Sequence, residues 1–169
     1  MTIVIESGMA FKCSSQTCFQ IEKSKTYAAI QNRVKCADFL FLRKKEDETA
    51  IWCVEAKSSS PRPETQPDFD KYILGIKDQL LNTFSLYVAM RLNRHSTANE
   101  LPPEFETPDL STVKFQFVLV ISGQQMGGLQ PIQDALRNAL YPTIKTWHLK
   151  PNPVIVINGD KARKYGLIQ

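Results

Sequence analysis

Three ionisable residues, Asp38, Glu55 and Lys57, stand within two β-prone segments that are otherwise largely apolar. Side chains on a strand alternate between its two faces, so Glu55 and Lys57 are expected on the same face of one strand. A charged turn near residues 46–48 separates the two segments, and a hairpin with that turn brings Asp38 beside Glu55. The sequence therefore predicts that three ionisable groups meet on one side of a sheet.

The predicted cluster has the chemistry of a divalent cation site. Burying carboxylates among apolar strands costs on the order of several kcal/mol unless a cation or a paired lysine compensates. Asp38 and Glu55 supply the hard oxygen ligands that Mg²⁺ or Mn²⁺ prefers, so both are predicted metal ligands. A cation there activates water and polarises a phosphodiester, while Lys57 assists water attack or stabilises the developing charge. The competing interpretation of Glu55 and Lys57 is a surface ion pair on an edge strand, which implies no function.

The elements that position these residues follow from hydrophobic periodicity and from turn residues. Segments 33–42 and 50–57 are rich in β-formers and predict the hairpin. Apolar residues recur at helical spacing over 69–92, which predicts a long amphipathic helix. Further strands are predicted in the first 22 residues and at 113–122 and 154–158, and further helices at 22–31 and 131–140. These elements predict an α/β domain with a mixed central β-sheet flanked by helices.

The bulk composition favours one folded domain over residues 1–169. The hydrophobic content of 43% supports a sizeable core for a chain of this length. The net charge of +4 and the pI of about 8.9 are compatible with a polyanionic partner without requiring one. The longest apolar runs, such as 115–122, are too short to cross a bilayer, and the N-terminus lacks the pattern of a signal peptide. A cytoplasmic protein without a membrane partner is expected.

The four cysteines carry a separate expectation. They stand at positions 13, 18, 36 and 53 of a chain without an export signal, so reduced thiols are expected rather than a disulfide framework. Cys13 and Cys18 alone offer only two zinc ligands, and the two histidines lie far from them in the sequence. A structural zinc site is therefore not predicted.

The hairpin motif resembles that of the PD-(D/E)XK nuclease superfamily, the restriction-endonuclease-like proteins. The pattern of that superfamily is an acidic residue on one hairpin strand, then Glu or Asp, any residue and Lys on the next strand. Here the pattern is met by Asp38 and by the EAK of residues 55–57. The predicted order of elements over roughly residues 20–160 also resembles the common core, although Ala37 stands where the proline of the pattern's name is expected.

The resemblance also implies a further acidic residue on the opening helix. Glu22, at the start of the predicted helix, is favoured as this catalytic residue over Glu6 because it lies closer to the hairpin in the sequence. The competing interpretation of Glu22 is a helix-start carboxylate stabilised by the helix dipole. Gln79, on the flank of the long helix, matches a position where some relatives carry a polar residue. The resemblance thus implies a site that extends beyond the hairpin.

The function implied by the resemblance is that of a metal-dependent nuclease, an endonuclease acting on phosphodiester bonds. Its partner is expected to be nucleic acid, DNA in preference to RNA, and its cofactor Mg²⁺ or Mn²⁺. Cleavage of both strands of a duplex favours two sites related by symmetry, so a homodimer or larger assembly is considered. The alternative is a catalytically inactive nuclease-like module that serves as a nucleic-acid-binding or protein-interaction subunit. Metal affinity distinguishes the two.

Overall fold

The computed structural model describes residues 2–149 and 152–169. These ranges contain seven strands and five helices. The strands are β1 (Thr2–Glu6), β2 (Met9–Cys13), β3 (Cys18–Phe19), β4 (Phe39–Lys45), β5 (Glu48–Lys57), β6 (Lys114–Ile121) and β7 (Val154–Asn158). The helices are α1 (Lys25–Ala28), α2 (Asp68–Arg91), α3 (Pro103–Glu106), α4 (Leu129–Thr146) and α5 (Gly159–Lys164). Single 3₁₀ turns lie at Ile21–Lys23, Ala98–Glu100 and Met126–Gly128.

The central sheet has five strands in the order β3-β4-β5-β6-β7. Strands β4 and β5 form an antiparallel hairpin in which Phe39 pairs with Val54, so the residue that precedes β4 stands beside Glu55. Strand β6 runs parallel to β5, and β7 runs parallel to β6. The prediction of an α/β fold with a mixed sheet and flanking helices is confirmed, as is the predicted hairpin.

The long helix α2 begins and ends within one residue of the predicted span 69–92. Its first turn carries Asp68 and Asp70 and its last turn carries Arg91, the charge arrangement that the helix dipole favours. Apolar residues three and four positions apart, including Ile73, Ile76 and Leu80, are buried against the sheet. The amphipathic stripe therefore fixes this helix over the sheet face that carries Glu55.

Two predicted elements are shorter than expected. The strand predicted from residue 33 begins only at Phe39, because the preceding backbone bonds to side chains of α2: the Ala37 N–H donates to Thr83 Oγ1 at 2.7 Å. The helix predicted over 22–31 is divided into a 3₁₀ turn and the one-turn helix α1. Ser24 lies between them with an extended backbone and caps α1 by accepting from the Tyr27 N–H at 3.0 Å. Local hydrogen bonding therefore overrides propensity at both places.

Two apolar layers cover the sheet. Helices α2 and α4 pack on one face, while the β1–β2 hairpin and α5 pack on the other. Strand β2 also pairs with the segment 167–169: the Lys12 N–H donates to the Leu167 carbonyl at 2.8 Å, and the Gln169 N–H donates to the Ala10 carbonyl at 3.0 Å. Within the described ranges, no helix combines the length and the apolar character needed to cross a bilayer.

The expectation of four reduced cysteines is wrong for one pair. Cys13 at the end of β2 and Cys18 at the start of β3 form a disulfide, with their Cα atoms 5.2 Å apart. A turn makes this possible, because the Cys18 N–H donates to the Ser14 carbonyl at 2.9 Å and folds the intervening residues back. Cys36 and Cys53 are buried free thiols, and burial raises the pKa of Cys36 to about 11. The disulfide fastens the β1–β2 hairpin to the central sheet.

Candidate functional site

Three half-buried carboxylates converge at one end of the β4–β5 hairpin. Glu6, Glu22 and Asp38 each offer one carboxylate oxygen, and these oxygens all lie within 4.8 Å of one another. Glu6 ends β1, Glu22 lies on a 3₁₀ turn and Asp38 directly precedes β4, so three separate segments supply the cluster. Like charges this close destabilise one another unless a proton or a cation compensates.

Asp38 is oriented by the hairpin itself. The Ala56 N–H donates to Asp38 Oδ2 at 2.7 Å, which ties the carboxylate to the neighbouring strand β5. Burial raises the pKa of Asp38 above its ordinary value, the Ala56 hydrogen bond lowers it, and the charge of Glu6 raises it further. The pKa of Glu22 is raised as well, first by burial and then by the charges of Asp38 and Glu6. Without a cation, Asp38 and Glu22 therefore hold a proton more readily than exposed carboxyl groups do.

Glu55 lies deeper than the three clustered carboxylates and is 1% exposed. Its Oε1 accepts from Gln79 Nε2 at 2.9 Å and forms an ion pair with Lys57 Nζ. Its Oε2 is buried and has no hydrogen-bond partner in the described part of the chain. Burial first, and the charge of Asp38 second, raise the pKa of Glu55 to about 7, against lowering contributions from Lys57 and Gln79. Glu55 thus has one carboxylate oxygen in an ion pair with Lys57 and a second, buried oxygen without a hydrogen-bond partner among the described residues.

Lys57 ends β5 at the rim of the cluster, with its side chain about one-third exposed. Its positive charge lowers the pKa of both Glu22 and Asp38, which shows that it acts on the cluster as well as on Glu55. The backbone around it is fixed, because the Ser122 N–H donates to the Lys57 carbonyl at 2.9 Å. The predicted neighbourhood of Asp38, Glu55 and Lys57 is therefore present in the structure.

The arrangement of the metal-binding candidates differs from the predicted Asp38–Glu55 pair. Asp38 is grouped with Glu22 and also with Glu6, the residue that sequence proximity ranked second, while Glu55 is not a member of this three-residue group. Glu6 lies in the cluster because the turn after β1 contacts the end of β5. Ser7 Oγ in that turn donates to the Ala56 carbonyl at 2.9 Å. A long-range contact, rather than distance along the chain, decides which carboxylates meet.

Helix α2 contributes two polar groups beside Glu55. Gln79 Nε2 lies 2.9 Å from Glu55 Oε1 and 3.4 Å from the Cys36 carbonyl, so the residue singled out on the flank of the helix contacts the site. Tyr72, two turns earlier, carries a buried hydroxyl without a hydrogen-bond partner among the described residues. Burial, followed by the charge of Glu55, raises the pKa of Tyr72. Its seven-residue spacing from Gln79 is the sequence signal that could have identified it.

A distant residue, Glu100, holds the segment that follows Glu22. Glu100 Oε1 accepts from the Lys25 N–H at 2.8 Å, and Oε2 accepts from the Thr26 N–H at 3.0 Å. Thr26 is fully buried, and its hydroxyl also contacts the Thr97 hydroxyl at 2.7 Å. Nothing local in the sequence indicates this contact, because about 75 residues separate its partners.

Comparison with known proteins finds no family for this chain. No protein-family model matches the chain, and no curated protein matches it significantly. Among solved structures, the chain is similar to the FokI restriction endonuclease bound to DNA, at 17% identity and a TM-score of 0.38. That similarity covers 78% of this chain and 20% of the other, so the chain spans about a fifth of the length of that protein. The function is therefore inferred from the site.

Proposed function

We propose that residues 1–169 form a restriction-endonuclease-like domain that hydrolyses phosphodiester bonds in DNA with a divalent cation, Mg²⁺ or Mn²⁺. The observation that carries this proposal is the convergence of the Glu6, Glu22 and Asp38 carboxylates beside the buried pair of Glu55 and Lys57. Carboxylates gathered with a lysine in a half-buried site match the needs of phosphoryl chemistry, in which negative charge increases at the phosphate.

The donor set fits a hard divalent cation. Carboxylate oxygens are the ligands that Mg²⁺ and Mn²⁺ take, and Asp38 and Glu55 are proposed to hold the cation with Glu22 and Glu6 as further carboxylates. The buried and unpartnered Oε2 of Glu55 is explained if a cation binds there. Burial is the first cause that raises the pKa values of Asp38, Glu22 and Glu55, and a cation held by their oxygens would favour their charged forms. When bound, the cation polarises the phosphodiester and lowers the pKa of a nearby water.

The side chains of the chain itself have distinct roles in this proposal. Lys57, partly exposed at the rim, orients the attacking water and stabilises the charge that develops on the phosphate. Gln79 holds Glu55 by donating to Oε1 and leaves Oε2 free. Asp38 keeps its orientation through the Ala56 N–H. Catalytic roles are thus proposed for Asp38, Glu55, Lys57 and Glu22.

DNA is the proposed substrate because the hairpin motif resembles that of nucleases acting on DNA, and the net charge of +4 is compatible with a polyanion. Cleavage of both strands of a duplex would use two copies of the site, and a homodimer is the simplest assembly that supplies them.

A second candidate function is a nuclease-like module that binds nucleic acid or protein without metal chemistry. The observation that favours it is the ion pair between Lys57 and Glu55, which already compensates one buried carboxylate without a cation. A pKa of about 7 also lets Glu55 take up a proton near neutrality. The two candidates differ in one measurable property, the affinity of the carboxylates for a divalent cation.

The deciding experiment compares cleavage of supercoiled, linear and single-stranded DNA in Mg²⁺, in Mn²⁺ and in chelator. Wild type is expected to cut only with metal, and Lys57→Ala is expected to lose cutting while still binding Mn²⁺ in calorimetry. Lys164→Ala, an exposed lysine on α5, is the matched control and should cut like wild type. A single-stranded RNA is tested alongside, and cleavage of this RNA without cleavage of any DNA would make RNA the substrate. No cleavage together with no Mn²⁺ binding would refute the nuclease and leave the binding module.

A further inference from the structure

A polar cavity of about 200 Å³ lies on the sheet face opposite to Glu55, near the turn between β4 and β5. Its main polar and aromatic lining residues are Arg43, Lys45, Trp52, Gln116 and Tyr165. Arg43 stands five residues along the chain from Asp38, which corresponds to roughly 17 Å in an extended strand. Trp52 and Glu55 also point to opposite faces of β5. The cavity is therefore separate from the carboxylate cluster.

Arg43 lies against two aromatic rings beside this cavity. Its guanidinium carbon lies 4.9 Å from the centroid of the Trp52 ring and 5.6 Å from that of Tyr165. Trp52 is 4% exposed, so one of the two rings belongs to the rigid core. A guanidinium that contacts aromatic rings through its face keeps the N–H donors at its edge available. In residues 2–149 and 152–169, no carboxylate forms an ion pair with Arg43.

The remaining lining gives the cavity a positive and donor-rich character. Lys45 adds a second cation, and Gln116 and the Tyr165 hydroxyl add donors. Glu48 is the one carboxylate in the lining, and it is engaged by Lys114 Nζ at 2.6 Å. A half-buried guanidinium that is positioned by stacking but lacks an acceptor carries a desolvation penalty that a ligand can relieve.

We propose that this cavity binds the phosphate group of a phosphate monoester, with the Arg43 guanidinium as its bidentate donor and Lys45 as the second cation. A planar guanidinium matches two phosphate oxygens, and two lining cations match the charge of a phosphate monoester. The ring of Tyr165, 45% exposed, offers a stacking surface for a base attached to that phosphate. The ligand is either a free nucleotide or the phosphorylated end of a nucleic-acid strand. This inference does not depend on nuclease activity.

The test uses the tryptophan that lies in the cavity. The chain has two tryptophans, so Trp147→Phe leaves Trp52 as the only indole reporter. In chelator, titration of this variant with inorganic phosphate should change its fluorescence along a saturable curve. Arg43→Gln in the same background should weaken binding at least about tenfold, the loss expected for one bidentate charged contact. Lys44→Gln, an exposed lysine on the same strand but outside this lining, is the matched control and should bind as before.

Calorimetry separates the two sources of the phosphate. A nucleoside 5′-monophosphate, a 5′-phosphorylated oligonucleotide and its unphosphorylated counterpart are each titrated into wild type and into Arg43→Gln. Tighter, Arg43-dependent binding of the mononucleotide indicates a free nucleotide, and tighter binding of the phosphorylated strand indicates a strand end. The proposal is overturned if no phosphate probe binds saturably, or if Arg43→Gln and Lys45→Gln both bind like wild type while their circular dichroism shows that they fold.

Discussion

Glu55 should make the fold less stable as the pH rises, and Glu55→Gln should remove that effect. Burial raises the pKa of Glu55 from its ordinary value of 4.5 to about 7, so the folded protein holds a proton that the unfolded chain releases earlier. A group of this kind stabilises the fold fully below pH 4.5, and that stability is lost as the pH rises through 7. Integrating between pH 5 and pH 8 gives a loss of roughly 2.5 kcal/mol in the free energy of unfolding.

The assay is urea unfolding of wild type and Glu55→Gln at pH 5 and pH 8 in chelator. Glu22 and Asp38 also have raised pKa values and contribute to the pH dependence of both proteins, so the quantity compared is the difference between them. Glu55→Gln should gain roughly 3 kcal/mol over wild type at pH 8 and less than about 1 kcal/mol at pH 5. Glu64→Gln, an exposed carboxylate in the loop before α2, serves as the control.

A divalent cation adds a second readout to the same experiment. Mn²⁺ at about one hundred times its dissociation constant should stabilise wild type by about 2.7 kcal/mol at pH 8 and should stabilise Glu55→Gln less. If Glu55→Gln keeps the pH dependence of wild type, or loses equal stability at both pH values, then burial does not control the ionisation of Glu55 and the reasoning is refuted.

Three further substitutions probe the surroundings of the site. Gln79→Ala removes the donor to Glu55 Oε1, so the Mn²⁺ affinity measured by calorimetry should fall about tenfold. Glu100→Ala leaves the Lys25 and Thr26 N–H groups without their acceptor and should lower the free energy of unfolding by about 1–2 kcal/mol in urea. Lys57→Ala removes the ion-pair partner of the buried Glu55, so it should be less stable than wild type in urea at pH 8, where Glu55 is charged, and should lower the cleavage rate at least about 100-fold.

Each of these substitutions has a control and an outcome that contradicts it. Asn82→Ala, on the same helix as Gln79, removes a hydrogen bond to the Lys35 carbonyl and should keep the Mn²⁺ affinity of wild type. Equal losses of Mn²⁺ affinity in Asn82→Ala and Gln79→Ala would mean that the affinity depends on the helix as a whole and not on the contact between Gln79 and Glu55. Glu106→Ala should leave stability unchanged, and a Glu100→Ala protein as stable as wild type would remove the role given to that carboxylate. Undiminished cleavage by Lys57→Ala would exclude this lysine from the reaction.

The parts of the fold that are governed by local pattern could be predicted from the sequence. Successive side chains of a strand point to opposite faces, so the positions within 50–57 determine which side chains share a face. The charged turn before this segment fixes the hairpin register that brings Asp38 beside Glu55. Helix α2 and strand β6 could also be predicted, because the apolar residues of each form one continuous buried set. Local periodicity therefore accounts for the sheet and its long helix.

Contacts between distant segments could not be predicted. Glu6 joins the cluster only because the β1–β2 hairpin crosses the sheet face and its turn rests on Ala56, a contact without any local signature. The disulfide between Cys13 and Cys18 depends on a turn that four polar residues do not specify by their types alone. Glu100 acts across a long stretch of chain for the same reason. Tertiary packing selects these partners.

The pairing of β2 with residues 167–169 has a consequence for the order in which the site is completed during synthesis. The segments that carry Glu22, Asp38 and Glu55 leave the ribosome long before residues 167–169, which pair with β2. Until that segment is added, the Lys12 N–H and the Ala10 carbonyl lack these backbone partners. The hairpin that carries Glu6 therefore gains these backbone partners only after the segments that carry the other carboxylates have been made.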